Sequence, residues 1–186
     1  MAAITITEEE VANAATYVAL ESKVEIAKII AIFCSEPTTD EDGFVMYREN
    51  RKLRQMFLMG ILAEMYLHRE YKKQAVKTSD GEEPKEVRLL MDLDDYDAWA
   101  SSHVMNQLER LKKDKTKKVS NYVYDLLYDY KAFENIIYGA IRDELERQND
   151  PLRRAMISLK AAITPENVKA LKETAEEITK QIGDAK

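Results

Sequence analysis

Residues that make turns and reactive centres are scarce in this chain. Its 186 residues include 5 glycines and 4 prolines, which leaves little turn chemistry for hairpins. Gly43, Gly60, Gly81, Gly139 and Gly183 stand isolated, so neither a P-loop nor a dinucleotide fingerprint is present. The 1 cysteine, Cys34, excludes an internal disulfide. It lies in the apolar run Ile29-Ile30-Ala31-Ile32-Phe33-Cys34 and reads as a buried thiol. There are 2 histidines, His68 and His103, and no His-Glu-x-x-His motif for a zinc protease. No apolar run is long enough to span a bilayer, and Met1–Thr5 has neither a basic start nor a long apolar core, so no signal peptide is expected. The net charge of −6 disfavours a general nucleic-acid binder. We expect a protein of a reducing cytoplasm, with no cofactor, no membrane partner and no direct nucleic-acid contact.

Helix punctuation is abundant. Asp150 and Thr164 can cap first turns, and each precedes a proline at the first helical position. Thr7-Glu8-Glu9-Glu10 is a capping box, with Val11, Ala14, Ala15 and Val18 facing inward behind it. Ser22-Lys23-Val24-Glu25 is a second. It predicts a turn near Val18–Glu21 and a helix over 22–35, with one continuous helix from Glu8 to Ser35 as the alternative. Residues 36–43 read as a loop. Leu53, Met56, Phe57, Gly60, Ile61, Glu64, Leu67, His68 and Tyr71 recur at three and four and predict a central helix over 46–75. Residues 77–84 read as a mobile loop, and 87–91 fits a helical turn or a lone strand. A helix capped within Asp92–Asp95 carries Tyr96, Trp99, His103, Val104, Leu108 and Leu111, and long and short helices follow over 119–148 and 151–162. The last helix, 165–182, spaces Val168, Leu171, Ala175, Ile178 and Ile182 as a narrow coiled-coil seam. The expectation is an all-α, single-domain bundle of six to seven helices. It has a body over 1–163 and a C-terminal amphipathic helix over 164–186, docked or partner-binding.

Several clusters suggest chemistry and have plainer readings. Glu64 and His68, four apart, could share a metal, but the facing Glu-x-x-His motifs of a di-iron bundle are missing. Asp92, Asp94, Asp95 and Asp97 lack the glycine and closing glutamate of a calcium loop and read as helix caps. In Ser101-Ser102-His103 adjacent side chains point to different helix faces. Arg48, Arg51, Lys52 and Arg54, and the run Lys112–Lys118, could meet phosphate but read as solvated faces. A metal-dependent enzyme using Glu64, His68 or the aspartates is therefore disfavoured, and no catalytic, metal or cofactor residue is assigned.

The tyrosines remain. Tyr122 and Tyr130 follow the buried stripe of 119–148, whereas Tyr124 and Tyr128 lie off it beside Asp125 and Asp129. Tyrosines with flanking acids make a protein-binding face; the same rings could instead cover a second layer of helices. Thr5-Ile6-Thr7-Glu8 with Tyr17-Val18-Ala19-Leu20, Ser101-Ser102-His103-Val104-Met105-Asn106-Gln107-Leu108, and Tyr130-Lys131-Ala132-Phe133-Glu134 with Asn149-Asp150-Pro151 resemble small helical proteins encoded by bacteriophages and prophages. That resemblance carries no catalytic or ligand-binding signature. It implies a phage protein made in a bacterial cytoplasm. The expected function is a non-enzymatic assembly factor or adaptor that binds its partner stoichiometrically. Its partner would be a phage structural protein or a host defence complex. Tyr124, Asp125, Tyr128 and Asp129 are one candidate surface. Val168, Leu171, Ala175, Ile178 and Ile182 are another, which could also join copies of the chain. The alternative is an inhibitor of a host defence nuclease whose acidic face blocks nucleic-acid binding.

Overall fold

A computed structural model describes residues 3–39, 45–76, 85–114 and 118–151, together with Ala155 and Lys169. The chain divides into two units, Met1–Leu145 and Glu146–Lys186. In the second, the described residues at 146–149, 151, 155 and 169 are helical. The 77–84 loop, most of the 151–162 helix and the seam residues Val168, Leu171, Ala175, Ile178 and Ile182 lie outside the described residues.

The first unit is not all-α. It mixes helices with two antiparallel two-stranded sheets, which overturns the six-to-seven-helix bundle. In chain order the elements are α1 (Glu8–Ala12), α2 (Leu20–Cys34), β1 (Ser35–Thr39), β2 (Val45–Glu49) and α3 (Arg51–Ile61). After a π-helical turn (Leu62–Tyr66) come β3 (Lys73–Val76), β4 (Lys85–Met91), α4 (Leu93–Ser101), α5 (Val104–Lys113) and α6 (Ser120–Asn149). No helix among the described residues is long and apolar enough to cross a membrane.

The first capping box forms as expected, with Thr7 Oγ1 accepting from the Glu10 N–H and the Glu10 carboxylate accepting from the Thr7 N–H. The second does not. α2 begins at Leu20 without a side-chain cap, so Ser22 lies inside the helix. The break spans 13–19 because other elements take its backbone donors. Ala15 N–H donates to the Tyr66 carbonyl at 2.9 Å and Val18 N–H to Asp129 Oδ2 at 2.9 Å.

The expected central helix over 46–75 is cut at both ends. Asn50 caps α3, which begins five residues late at Arg51, and its Oδ1 accepts from Leu53 N–H at 2.9 Å. The Asn50 N–H donates to the Cys34 carbonyl at 2.7 Å, bringing the end of α2 beside the start of α3. Residues 45–49 are thereby left to pair with 35–39, from Ser35↔Glu49 to Thr39↔Val45. Pro37 fits there because each strand of a two-stranded sheet is an edge. At the other end, Leu67 N–H donates to the Leu62 carbonyl and Arg69 N–H to the Ala63 carbonyl. Between them His68 turns left-handed at φ 52°. The π turn thus ends on a left-handed residue, with histidine where glycine is usual. His103 does the same at φ 50°, dividing the helix expected after Asp92 into α4 and α5. Both histidines thus mark helix ends.

The hairpin β3–β4 settles the open reading of 87–91 as a paired strand, with Lys73↔Met91 and Val76↔Lys85 as its outer pairs. Its ladder is irregular after Lys73, and on the facing strand Leu89 sits at φ 65°. Leu89, Leu90 and Met91 are buried against the helical layer. Gly60 of α3 permits this approach: a Cβ there would lie 2.1 Å from the Leu89 carbonyl oxygen. The N-terminal segment straps across α5, with Gln107 donating to the Ile4 carbonyl and accepting from Ile6 N–H, both at 2.8 Å.

The core gathers Phe57, Ile61, Leu62 and Tyr66 from α3 and its π turn, Ile30 and Cys34 from α2, Leu108 from α5, and Val123, Leu126, Phe133 and Ile137 from α6. Within it Asp129 and Lys23 form a buried ion pair at 2.5 Å. Asp129 also accepts from Tyr66 Oη at 2.7 Å.

Gly60→Ala is expected to destabilise the protein by about 2–3 kcal/mol, since helix or strand backbone must shift. Gly139→Ala, with nothing within 4 Å of the added methyl, should stabilise by about 0.5–1 kcal/mol through helix propensity. Urea unfolding reads both, and equal effects would contradict the close approach. Asp129→Ala should cost about 3–5 kcal/mol by leaving Lys23 buried without a counter-ion. Combined with Lys23→Met, the loss should fall short of the sum of the singles by at least about 1 kcal/mol; additive losses would show that the two charges are not coupled.

Candidate protein-docking groove

α6 has two faces because its apolar residues recur at helical spacing. Val123, Leu126, Tyr130, Phe133, Ile137 and Ile141 are buried, while Tyr124 and Tyr128 project outward, 58% and 72% exposed. Beside them runs a groove of about 470 Å³. Leu58 and Met59 of α3 contribute to its floor, with Leu127 and Tyr130 of α6. One wall is Met105, Glu109 and Lys112 of α5; the other carries Tyr124, Tyr128, Lys131 and Glu134 of α6.

The electrostatics of the groove are balanced. Lys112 pairs with Glu109 at 2.8 Å on one wall, and Lys131 pairs with Glu134 on the other. The hydrogen bond to Glu134 holds the Lys131 ammonium above the usual lysine range. Tyr130 donates its hydroxyl to the Leu58 carbonyl at 3.2 Å, and burial, with Glu134 nearby, pushes that phenol well above the ordinary tyrosine range. The groove therefore combines a satisfied apolar floor, two projecting aromatic rings and a rim of paired charges of both signs.

The structure separates the expected surface residues. Tyr124 and Tyr128 line the groove, and Asp125 is exposed on the same helix but does not line it. Asp129, expected beside them at the surface, belongs to the core instead, since helical rotation carries it toward Lys23 and Tyr66. The seam from Val168 to Ile182 lies outside the described residues. Met59, Met105, Leu127 and the two Lys–Glu pairs escaped the sequence reading. Their only signal was a row at i, i+4 and i+7 along 105–112, which a solvated helix face also produces.

Other clusters make local pairs and caps. Glu64 accepts from Arg88 Nε and Tyr71 Oη, both at 3.1 Å, and pairs with Lys73 at 3.4 Å. Burial alone would raise the Glu64 carboxyl, but these donors and the Lys73 charge outweigh it and hold the group below its usual range. Glu64 and Lys73 line a second concavity of about 580 Å³ with Arg69, Glu70, Glu86 and Asp92. Two of its cations are committed locally, Lys73 to Glu64 and Arg69 to Glu10. Asp92 caps α4 by accepting from Asp95 N–H, and Asp95 accepts from Lys72 N–H. The basic patch at 48–54 loses Arg54 to the interior, where it pairs with Glu49 and lies 4.3 Å from the Tyr138 ring centre. Among the described residues no group of three or more His, Cys, Asp or Glu side chains could hold a metal ion.

Cys34 is fully buried, and burial pushes its thiol up to about 12 despite the nearby Arg54 charge. Comparison with protein-family models, curated proteins and solved structures gives no match.

Cys34 should be inert in the folded protein. At pH 8 an aromatic disulfide reagent is expected to label it at least about 100-fold more slowly in the native state than in denaturant, because the thiolate is the reactive form. Comparable rates would place the thiol at an accessible surface.

Proposed function

We propose that this protein acts by stoichiometric binding of a protein partner, as an assembly factor or adaptor, and that the α3–α5–α6 groove is its docking surface. The observation that carries this reading is the pair Tyr124 and Tyr128, exposed on the rim of an apolar groove. An isolated exposed tyrosine is ordinary. Two rings beside a methionine-bearing groove supply a large, rigid contact area at low entropic cost, and the methionines add a surface that can repack around a partner. The resemblance to phage-encoded helical proteins suggests a setting, a phage-infected bacterial cytoplasm, with a phage structural protein or a host defence complex as the partner. The nuclease-inhibitor alternative has less support, because it needs a continuous acidic face. Asp129 is withdrawn into the core, and Lys112 and Lys131 sit on the groove walls.

Replacing Tyr124 and Tyr128 together by alanine is expected to weaken partner binding at least tenfold, about 1.4 kcal/mol. Stability should change by no more than about 0.5 kcal/mol per site, since both rings are exposed. The comparison is co-purification of tagged native and double-variant protein from phage-infected cells, followed by titration of the protein that distinguishes them. Recovery of the same partners at the same yield would remove the groove from the binding surface.

A further inference from the structure

We infer that the occupant of this groove is an amphipathic α-helix of the partner protein, an inference that rests on the groove being the docking site. The first argument is backbone satisfaction. All the lining residues belong to α3, α5 and α6, whose peptide groups are largely used within their own helices. No strand edge is offered to an incoming chain. An extended segment laid there would bury N–H and C=O groups without partners, whereas a helix satisfies its own.

The second argument is shape. Met105, Glu109 and Lys112 on one wall, and Tyr124, Tyr128 and Lys131 on the other, each recur at i, i+4 and i+7. Residues at these spacings fall on one face of their helix, so each wall presents a continuous stripe of side chains to a third helix. From Tyr124 to Glu134 the groove follows α6 for roughly 15 Å at the helical rise, room for about three turns.

The third is charge. Each wall carries one lysine and one glutamate, already paired with each other. A polyanion or a peptide of one charge sign would meet as much repulsion as attraction. A helix with apolar anchors at i, i+3 or i+4, and i+7, flanked by residues of both signs, meets its complement. Its anchors would rest on Met59, Met105 and Leu127, with the rings of Tyr124 and Tyr128 against its side.

The test uses the full chain and two randomised peptide libraries of equal length, one stapled as helices and one held as extended hairpins. Binders are selected on the native protein. They are then measured by fluorescence anisotropy on native protein, on the Tyr124→Ala/Tyr128→Ala variant, and on Ile32→Ala, an exposed α2 residue outside the groove. Methyl NMR of labelled methionines reports Met59 and Met105 directly. The expected result is enrichment from the helical library with apolar spacing of three, four and seven. Those binders should shift both methionine methyls and lose at least tenfold affinity on the tyrosine variant but not on Ile32→Ala. Hairpin binders that show the same dependence on the tyrosines would overturn the helical occupant while leaving the docking groove in place. Binders unaffected by the tyrosine variant, or no enrichment from either library, would overturn both.

Discussion

The carboxylate of Asp129 joins segments that are far apart in the chain. It accepts from Val18 N–H, from the Lys23 ammonium and from the Tyr66 hydroxyl, and so links the break before α2, α2 itself, the π turn and α6. A charge taken out of water is costly unless its lone pairs are filled and a counter-charge lies alongside. Here both conditions hold together only when all four segments are in place. Burial, reinforced by Asp129, drives the Tyr66 phenol far above its ordinary range and keeps it a neutral donor. Its ring packs edge-on to Tyr130, 5.7 Å between centres. Whether or not the pair adds net stability over an apolar substitute, it gives these segments one register, because a slipped packing would strand a buried charge.

That constraint also shapes the candidate surface. Tyr128 and Asp129 are adjacent, and a helix sends neighbours about 100° apart. Asp129 is held inward while Tyr128 is exposed to solvent, and Tyr124, four residues earlier, lies on the same side. Tyr130 turns down to the floor, where its hydroxyl meets the Leu58 carbonyl. The groove is thus placed by the same rotation of α6 that buries the ion pair. The acidic character expected of this face is halved by it.

The hairpins arise from where helices are forced to stop. Helical spacing continues through 46–75, and nothing in hydrophobic period alone marks Asn50 or His68 as ends. Asn50 is a recognisable cap residue, but its weight comes from the Cys34 carbonyl that its N–H meets. His68 and His103 adopt a backbone conformation that glycine or asparagine adopts more readily. Each is preceded by carbonyls that a left-handed residue helps satisfy. Once α3 has ended, β4 lies against it at Gly60, where a side chain would collide with the Leu89 carbonyl. An isolated glycine in a helical pattern looks like a defect in sequence and proves to be a contact in three dimensions.

Short-range chemistry was therefore legible in the sequence. The Thr7 capping box, a cap within Asp92–Asp95, the buried Cys34 and most of the buried stripe of α6 follow from spacing within a few residues and are found in the folded chain. Tyr122, expected on that stripe, is instead exposed, and between a surface and a second helix layer for Tyr124 and Tyr128 only the folded chain decided. Long-range chemistry was not legible. That 35–39 and 45–49 pair as strands, that Asp129 is a core residue and that Met59 and Met105 share one groove depend on groups separated by tens of residues. The physical reason is that a hydrogen-bond donor, a carboxylate or an apolar face carries the same local signature whatever it will meet. Its partner, and with it the choice between helix and strand or core and surface, was decided only when the tertiary structure brought the two together.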